Sequence, residues 1–228
     1  MHPIVVQSIK RAENAAQFAK YGVATIHEAQ GRKGLMLPDM KPIYPCQRIA
    51  GPAVTVSLPP CDNWMIHVAI EQCQPGDVMV VAPTSFSDAG YFGDLLGNLF
   101  KARGVQALII DAGCRDIEEL EEMGFPVWSK CISAQGTVKE TLGSVNIPVV
   151  CSSQLVNPGD VIVADRDGVV VVRQEEADEV LALSQAREEK EAKVRERYQR
   201  GELGLDMNNM RPVLAEKGLR YVNTLDDL

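Results

Sequence analysis

YFGDLLGNLFKARGVQALIIDAGCRD, residues Tyr91–Asp116, sets a helix, a buried strand and a second helix start end to end. It reads as a helix that opens at Asp94 after Gly90 and Gly93 and ends at Gly104. An apolar strand follows over Val105–Ala112, and a short acidic helix runs from Arg115 to Met123 and stops at Gly124. Twenty residues separate Asp94 from Arg115, which gives the pattern D-x20-R-D. Ligand crevices of α/β sheets lie beyond the carboxyl ends of the strands, where Arg115 and Asp116 fall. Local readings exist for each residue: Asp94 and Asp116 as helix caps, Arg115 as the partner of an acid such as Glu119. Taken together, the three place two carboxylates and one guanidinium around one crevice. Carboxylates hold a hard metal ion, and a guanidinium holds a carboxylate or enolate oxygen. The glycine-rich approach to Asp94 also lets backbone N–H groups at the helix start face an anion. A carboxylate beside that anion makes sense when a metal or a proton lies between them.

Outward from this stretch the pattern stays mixed. Residues 9–20 read as a short amphipathic helix, and a second begins near Thr25 and closes at Gly31 or Gly34. Arg48–Ser57 reads as a strand whose Pro52 suggests an edge or a bend. Asp62 is the N-cap candidate of a helix reaching Cys73. Gln74-Pro75-Gly76-Asp77 turns into a buried strand at Val78–Ala82, and Asn157-Pro158-Gly159-Asp160 repeats that turn before Val161–Ala164. Val127–Ser133 and Val145–Cys151 are further strands, and Asp167-Gly168 leads into one more at Val169–Val172. The class is α/β. The character changes at Gln174: Glu175–Arg200 is a long charged helix with a thin apolar stripe at Ala177, Val180, Leu181 and Leu183. The reading is a core over residues 1–173 and a helical arm and tail over 174–228 that pack on a neighbouring subunit.

The net charge is −8 over 228 residues. That argues against nucleic acid as a partner, because phosphate binding needs a basic surface. The N-terminus has no apolar core of the kind a signal peptide needs, and no run of about 18 apolar residues occurs, so no membrane partner and a cytoplasmic location are expected. The six cysteines fit neither a zinc site nor a disulfide framework and read as small buried residues of a reducing compartment. His27 and His67 read as packing or local hydrogen-bonding residues. Lacking paired His or Cys ligands, the chain suits an oxygen-rich Mg²⁺ or Mn²⁺ site better than zinc. Lys130 and Lys139 are the lysines nearest the apolar middle. A Schiff-base route would need one of them desolvated, and Lys139 is also placed to bind a substrate carboxylate.

With D-x20-R-D in place, the chain resembles the class II pyruvate aldolases that act on 4-hydroxy-4-methyl-2-oxoglutarate and 4-carboxy-4-hydroxy-2-oxoadipate. The likeness runs through YGVATIHEAQGR, PPCDNWMIHVAIEQC, GYFGDLLGNLFKARG, IIDAGCRD, EMGFPVWSK, SAQGTVKETLGSVN, NPGDVIVADRDGVVVV and GELGLDM. Gly97-Asn98 departs from the Ala-Thr-like pair expected there, which puts helix packing at that point in question. The resemblance implies a compact β/β/α core of the ribonuclease E regulator-like type, assembled as a homotrimer or a hexamer of two trimers. It implies a divalent metal, Mg²⁺ or Mn²⁺, held directly by Asp116, through water by Asp94, and by an acid from the neighbour's arm, with Glu191 as the candidate and Glu188, Glu189 and Glu202 open. It implies Arg115 and Asp94 as catalytic residues, and Gly93, Leu95, Leu96, Arg115 and Lys139 at the substrate. The implied substrate is a 4-hydroxy-2-oxo acid from protocatechuate or gallate degradation, with oxaloacetate decarboxylation as a side activity. Regulators of ribonuclease E share the fold and central motif, so a non-catalytic protein-binding role is the alternative. The methyltransferase label given to some of them finds no glycine-rich strand-turn support here.

Overall fold

The computed structural model describes residues 2–227. Chain contacts divide it into two compact units, Met1–Gln185 and Ala186–Leu228. The first unit starts with a 3-10 turn at Ala15–Lys20 and helix α1, Val23–Ala29. Then come β1 Lys41–Pro42, β2 Ile49–Leu58, α2 Trp64–Ala69, β3 Val78–Pro83, β4 Gly90–Phe92 and α3 Asp94–Ala102. They are followed by β5 Ala107–Cys114, α4 Ile117–Met123, β6 Val127–Ile132, β7 Ser144–Val145, β8 Val149–Cys151 and β9 Gln154–Val156. The unit closes with β10 Val161–Ala164, β11 Val169–Val172 and the first turns of α5, Ala177–Gln199. The second unit holds the rest of α5 with α6 Gly204–Met207 and α7 Met210–Glu216.

The main sheet runs β1-β6-β5-β3-β2-β10-β11, with β4 added on β5 and β7 on β2, and β8 and β9 form a separate two-stranded sheet. Strands β2, β3, β5 and β6 are parallel neighbours, whereas β10 is antiparallel to both β2 and β11. The expected α/β core is therefore present. Both faces of the parallel strands are covered, which is why they read as unbroken apolar runs. On β5, Leu108 and Ile110 join the cluster under α2, α3 and α4, while Ala107 and Ile109 join Trp128, Met40 and the β8–β9 pair on the other side. This is the period-2 alternation of a strand. A third cluster packs Phe18, Val23 and Ile26 with Val161, Val163, Val170 and Val172, and with Ala177 and Val180 of α5.

Several local expectations change. Pro52 lies inside the sheet, not on an edge: it pairs with Val161 of β10, and the β3 ladder begins one residue later at Ala53. The missing N–H thus falls where β2 changes partners. The strand expected over Val145–Cys151 is two strands, because Asn146 adopts a positive φ of 57° and ends β7. The first amphipathic segment is helical only over its last six residues. The two Pro-Gly-Asp turns share one device. Asp77 accepts the N–H of Gln74 and the guanidinium of Arg11, and Asp160 accepts the N–H of Asn157 and the guanidinium of Arg173.

Helix α3 is anchored through Phe100, which packs against two further rings. Phe92 and Phe100 meet edge-on with centroids 5.0 Å apart, and both contact Phe125 at 5.7 and 5.9 Å. Phe100 is fully buried. Phe100→Ala is expected to cost about 3–5 kcal/mol of unfolding free energy, read from urea denaturation.

Candidate active site

Strand β5 ends at Cys114, and the two residues after it are Arg115 and Asp116, the charged pair singled out in the sequence. Asp116 takes a left-handed backbone conformation, φ 55° and ψ 48°, which Asp tolerates better than most residues. The kink turns its carboxylate away from its own helix. Asp116 makes no side-chain cap on α4; instead its Oδ2 accepts the N–H of Asp94 at 3.2 Å, at the start of α3. Asp94 is likewise not the N-cap of α3: Gly93 holds that position and Asp94 is the first helical residue. The N–H of Arg115 donates to Phe92 O at 2.9 Å, and Arg115 Nε stands 3.6 Å from Asp116 Oδ2. The two side chains stay 45% and 33% exposed, so both reach solvent or a ligand. The N–H groups of Leu95 and Leu96 lie in the first turn of α3, where a helix offers no acceptor of its own. Leu96 is buried and Leu95 is 79% exposed.

The approach depends on glycine. A Cβ on Gly93 would sit 2.1 Å from Asp116 Oδ2, and one on Gly90 would sit 2.3 Å from Ser133 O. A Cβ on Gly97 would meet Leu120 Cδ2 at 2.6 Å, so this glycine sets the close contact of α3 with α4. That is the physical content of the Gly97-Asn98 departure.

The facing wall was only partly legible in the sequence: Lys139 was expected at the substrate, but Asn63, His67 and Tyr91 were not. Asn63, His67, Tyr91 and Lys139 line the same cleft as Gly93, Asp94, Arg115 and Asp116. His67, read from the sequence as a packing or local hydrogen-bonding residue, is only partly buried and opens onto this cleft. Burial, reinforced by the Lys139 charge, lowers its pKa and keeps the imidazole neutral near pH 7. Asn63 Nδ2 donates to Tyr91 O at 2.9 Å, while its buried Oδ1 has no hydrogen-bond partner among the described residues. Asp62 organises the wall. Its Oδ1 accepts the N–H of Trp64, and its Oδ2 accepts those of Glu140 and Thr141 at 2.8 and 2.7 Å. It is thus an acceptor just before α2, whose N-cap is Asn63, and it carries the Lys139 segment to the cleft.

The remaining candidates fall elsewhere. Lys130 pairs with Asp111 at 2.7 Å, and that hydrogen bond raises its pKa, the opposite of a Schiff-base lysine. Burial pushes the Cys114 thiol up to about 12, so it is protonated and unreactive at neutral pH. Glu191 belongs to the second unit and pairs there with Arg187 across one helical turn. His27 sits on α1 with a buried Nδ1 that makes no hydrogen bond among the described residues. No group of three or more His, Cys, Asp or Glu is poised around a metal position among the described residues, and no helix among them is long and apolar enough to cross a membrane.

A family model described as RraA-like, Aldolase/RraA, matches residues 23–171, and the chain belongs to that family. A Burkholderia mallei protein named "Putative 4-hydroxy-4-methyl-2-oxoglutarate aldolase" is 31% identical over 157 residues, 68% of this chain and 94% of that protein. A Halalkalibacterium halodurans protein of the same name is 28% identical over 165 residues, 72% of this chain and 79% of that protein. Among solved structures, Streptomyces coelicolor RraAS2, described as an unusual member of the RNase ES inhibitor RraA family, superposes with a TM-score of 0.72. It is 27% identical and covers 82% of this chain and 100% of its own. The family thus contains both named aldolases and named ribonuclease inhibitors.

Asp62 is 2% exposed. Burial alone would raise its pKa, but three backbone N–H donors and the nearby Lys139 outweigh it, and the pKa lies below the usual carboxylate value. A depressed folded pKa means that the stabilisation is present above about pH 4 and is lost as pH falls through the folded value. Asp62→Ala is expected to cost about 1–3 kcal/mol at pH 7. Its thermal midpoint should also fall less steeply than that of the parent between about pH 4 and 2, as scanning calorimetry would record.

Proposed function

We propose that this chain is a carbon–carbon lyase that cleaves 4-carboxy-4-hydroxy-2-oxoadipate to pyruvate and oxaloacetate, and 4-hydroxy-4-methyl-2-oxoglutarate to two pyruvates. The observation that carries the reading is the meeting of Asp94, Arg115, Asp116 and the first-turn N–H groups of α3 in one cleft beyond the end of β5. The donor set suits a hard divalent cation: two carboxylates, no His or Cys pair, and a glycine at position 93 whose missing Cβ leaves the Asp116 carboxylate open. Asp116 would hold Mg²⁺ or Mn²⁺ directly and Asp94 through water, an arrangement Mg²⁺ accepts because it keeps several waters. Bound there, the ion supplies Lewis acidity toward the 2-oxo group.

The chain's own groups then divide the work. The N–H groups of Leu95 and Leu96 bind the C1 carboxylate. Arg115 donates to the C2 oxygen, where negative charge grows as the C3–C4 bond breaks and its electron pair enters the enolate. Asp94 orients the water that takes the C4 hydroxyl proton, and the C4 carbon leaves as a carbonyl. A proton delivered to C3 completes pyruvate. Lys139 supplies a cation for the carboxylate at the far end of the substrate. The same enolate arises from oxaloacetate by loss of CO₂, so decarboxylation is the expected side activity. An acid from a neighbouring copy's arm, Glu191 first, is proposed to complete the metal shell in a trimeric or hexameric assembly.

Pyruvate release followed with a lactate dehydrogenase couple tests this. Turnover should need added Mg²⁺ or Mn²⁺ and stop with EDTA. Arg115→Ala should lower kcat by about 10²–10³-fold. EDTA-resistant turnover with borohydride trapping would replace this reading by a Schiff-base aldolase. Absence of turnover together with tight binding to ribonuclease E would replace it by the regulator role.

A further inference from the structure

Arg115 and Asp116 follow directly on β5, so whatever fixes the end of that strand fixes the site. Up to Ile110, β5 pairs with β3; from Gly113 it pairs with β4. Against β6 the register jumps, with Ile110 opposite Ser129 and Gly113 opposite Cys131. Three steps on β5 match two on β6, so Asp111 and Ala112 together oppose Lys130. This one extra residue is a β-bulge, which bends a strand and re-aims the side chains beyond it.

The bulge is pinned by polar groups. Lys130 Nζ stands 2.7 Å from Asp111 Oδ1, and Asp111 Oδ2 accepts the N–H of Ser152 at 2.8 Å. Ser152 is itself buried, in the tight turn between β8 and β9, and its carbonyl accepts the N–H of Leu37. Ser129 Oγ lies 2.8 Å from Ala112 O. Just past the bulge, the N–H of Gly113 donates to Ala89 O, and a Cβ there would lie 2.6 Å from the carbonyl oxygens of Asp88 and Ala89. Neither Asp111 nor Lys130 lines the cleft. An apolar pair would hold the sheet together equally well, yet apolar contacts are indifferent to a one-residue slip of a strand covered on both faces. An ion pair that joins the extra residue to its single opposite neighbour is not indifferent.

We infer that Asp111 and Lys130 are positioning residues that lock the β5 bulge and so set where Arg115 and Asp116 point. The kinetic consequence rests on the proposed lyase activity; the structural one does not. Hydrogen exchange on Asp111→Ala should show the amides of Gly113 and Arg115 exchanging at least about 10-fold faster, with β10 and β11 unchanged, as for a local opening. In the pyruvate assay kcat should fall about 10- to 100-fold, as misplacement of reacting groups does, while KM stays within about threefold. Lys130→Met should reproduce both effects, and Lys130→Arg, which keeps the cation, should restore most of the turnover. Asp111→Asn keeps an acceptor for Ser152 and removes the charge, so it carries the test if Asp111→Ala does not fold. Unchanged exchange at Gly113 and Arg115 would overturn the inference. So would loosening spread evenly over the sheet with kcat preserved. If the parent releases no pyruvate, the lyase reading fails, and the exchange pattern alone decides the role of the pair.

Discussion

Two hydrogen bonds hold the site's halves together: Arg115 N–H to Phe92 O at 2.9 Å, and Asp94 N–H to Asp116 Oδ2 at 3.2 Å. They require the chain before α3 and the chain after β5 to run almost in contact. Every side chain at the junction would obstruct that. Glycine at 90, 93 and 113 removes the obstruction, because a Cβ at each would fall between 2.1 and 2.6 Å from a neighbouring oxygen. The left-handed turn at Asp116 follows from the same constraint, since a helical or extended backbone there would carry the carboxylate away from the start of α3.

Much of this was legible from the residues. The strand between two helices, the glycines before Asp94 and the charged pair after the strand sit close together in sequence, and local chemistry reports them. Other parts were not. The bulge at Asp111 leaves no trace in the hydrophobic pattern, because Ala112 and Gly113 are small enough to suit either face. The meeting of Asn63 and His67 with the expected Lys139 depends on Val138 pairing with the segment at Asp62, a contact across more than seventy residues that no period in the sequence announces. Pro52 misled in an instructive way: the rule that proline avoids sheet interiors concerns the absent N–H, and a strand that exchanges partners has a place where that N–H is not needed.

The cleft also shows how an acidic chain can receive an anion. The net charge of −8 describes the field at a distance, which salt screens within about 8–10 Å. Inside the cleft the nearest groups are Arg115 and Lys139, a neutral His67 and the first turn of α3. The two carboxylates would repel a substrate by themselves. That repulsion is the electrostatic case for a divalent cation in the proposed chemistry.

The arm adds an energetic argument about which acid it can offer to a neighbour. Beyond Ser184 no α5 residue is buried among the described residues, and Arg187 with Glu191, Arg195 with Glu188, and Arg197 with Glu202 form ion pairs within the arm. Glu202 accepts from both Arg197 and Arg200, and these hydrogen bonds hold its pKa below the usual carboxylate range. Moving it would break two charge-assisted bonds at once. Glu191 has a half-buried i,i+4 pairing with Arg187 at 2.7 Å, a single contact of a kind worth only about 0.3–0.5 kcal/mol on helices. A carboxylate so weakly committed exchanges a guanidinium for a divalent cation at little cost. On this ground Glu191, rather than Glu202, is the acid that the arm would give up in the proposed trimeric or hexameric assembly.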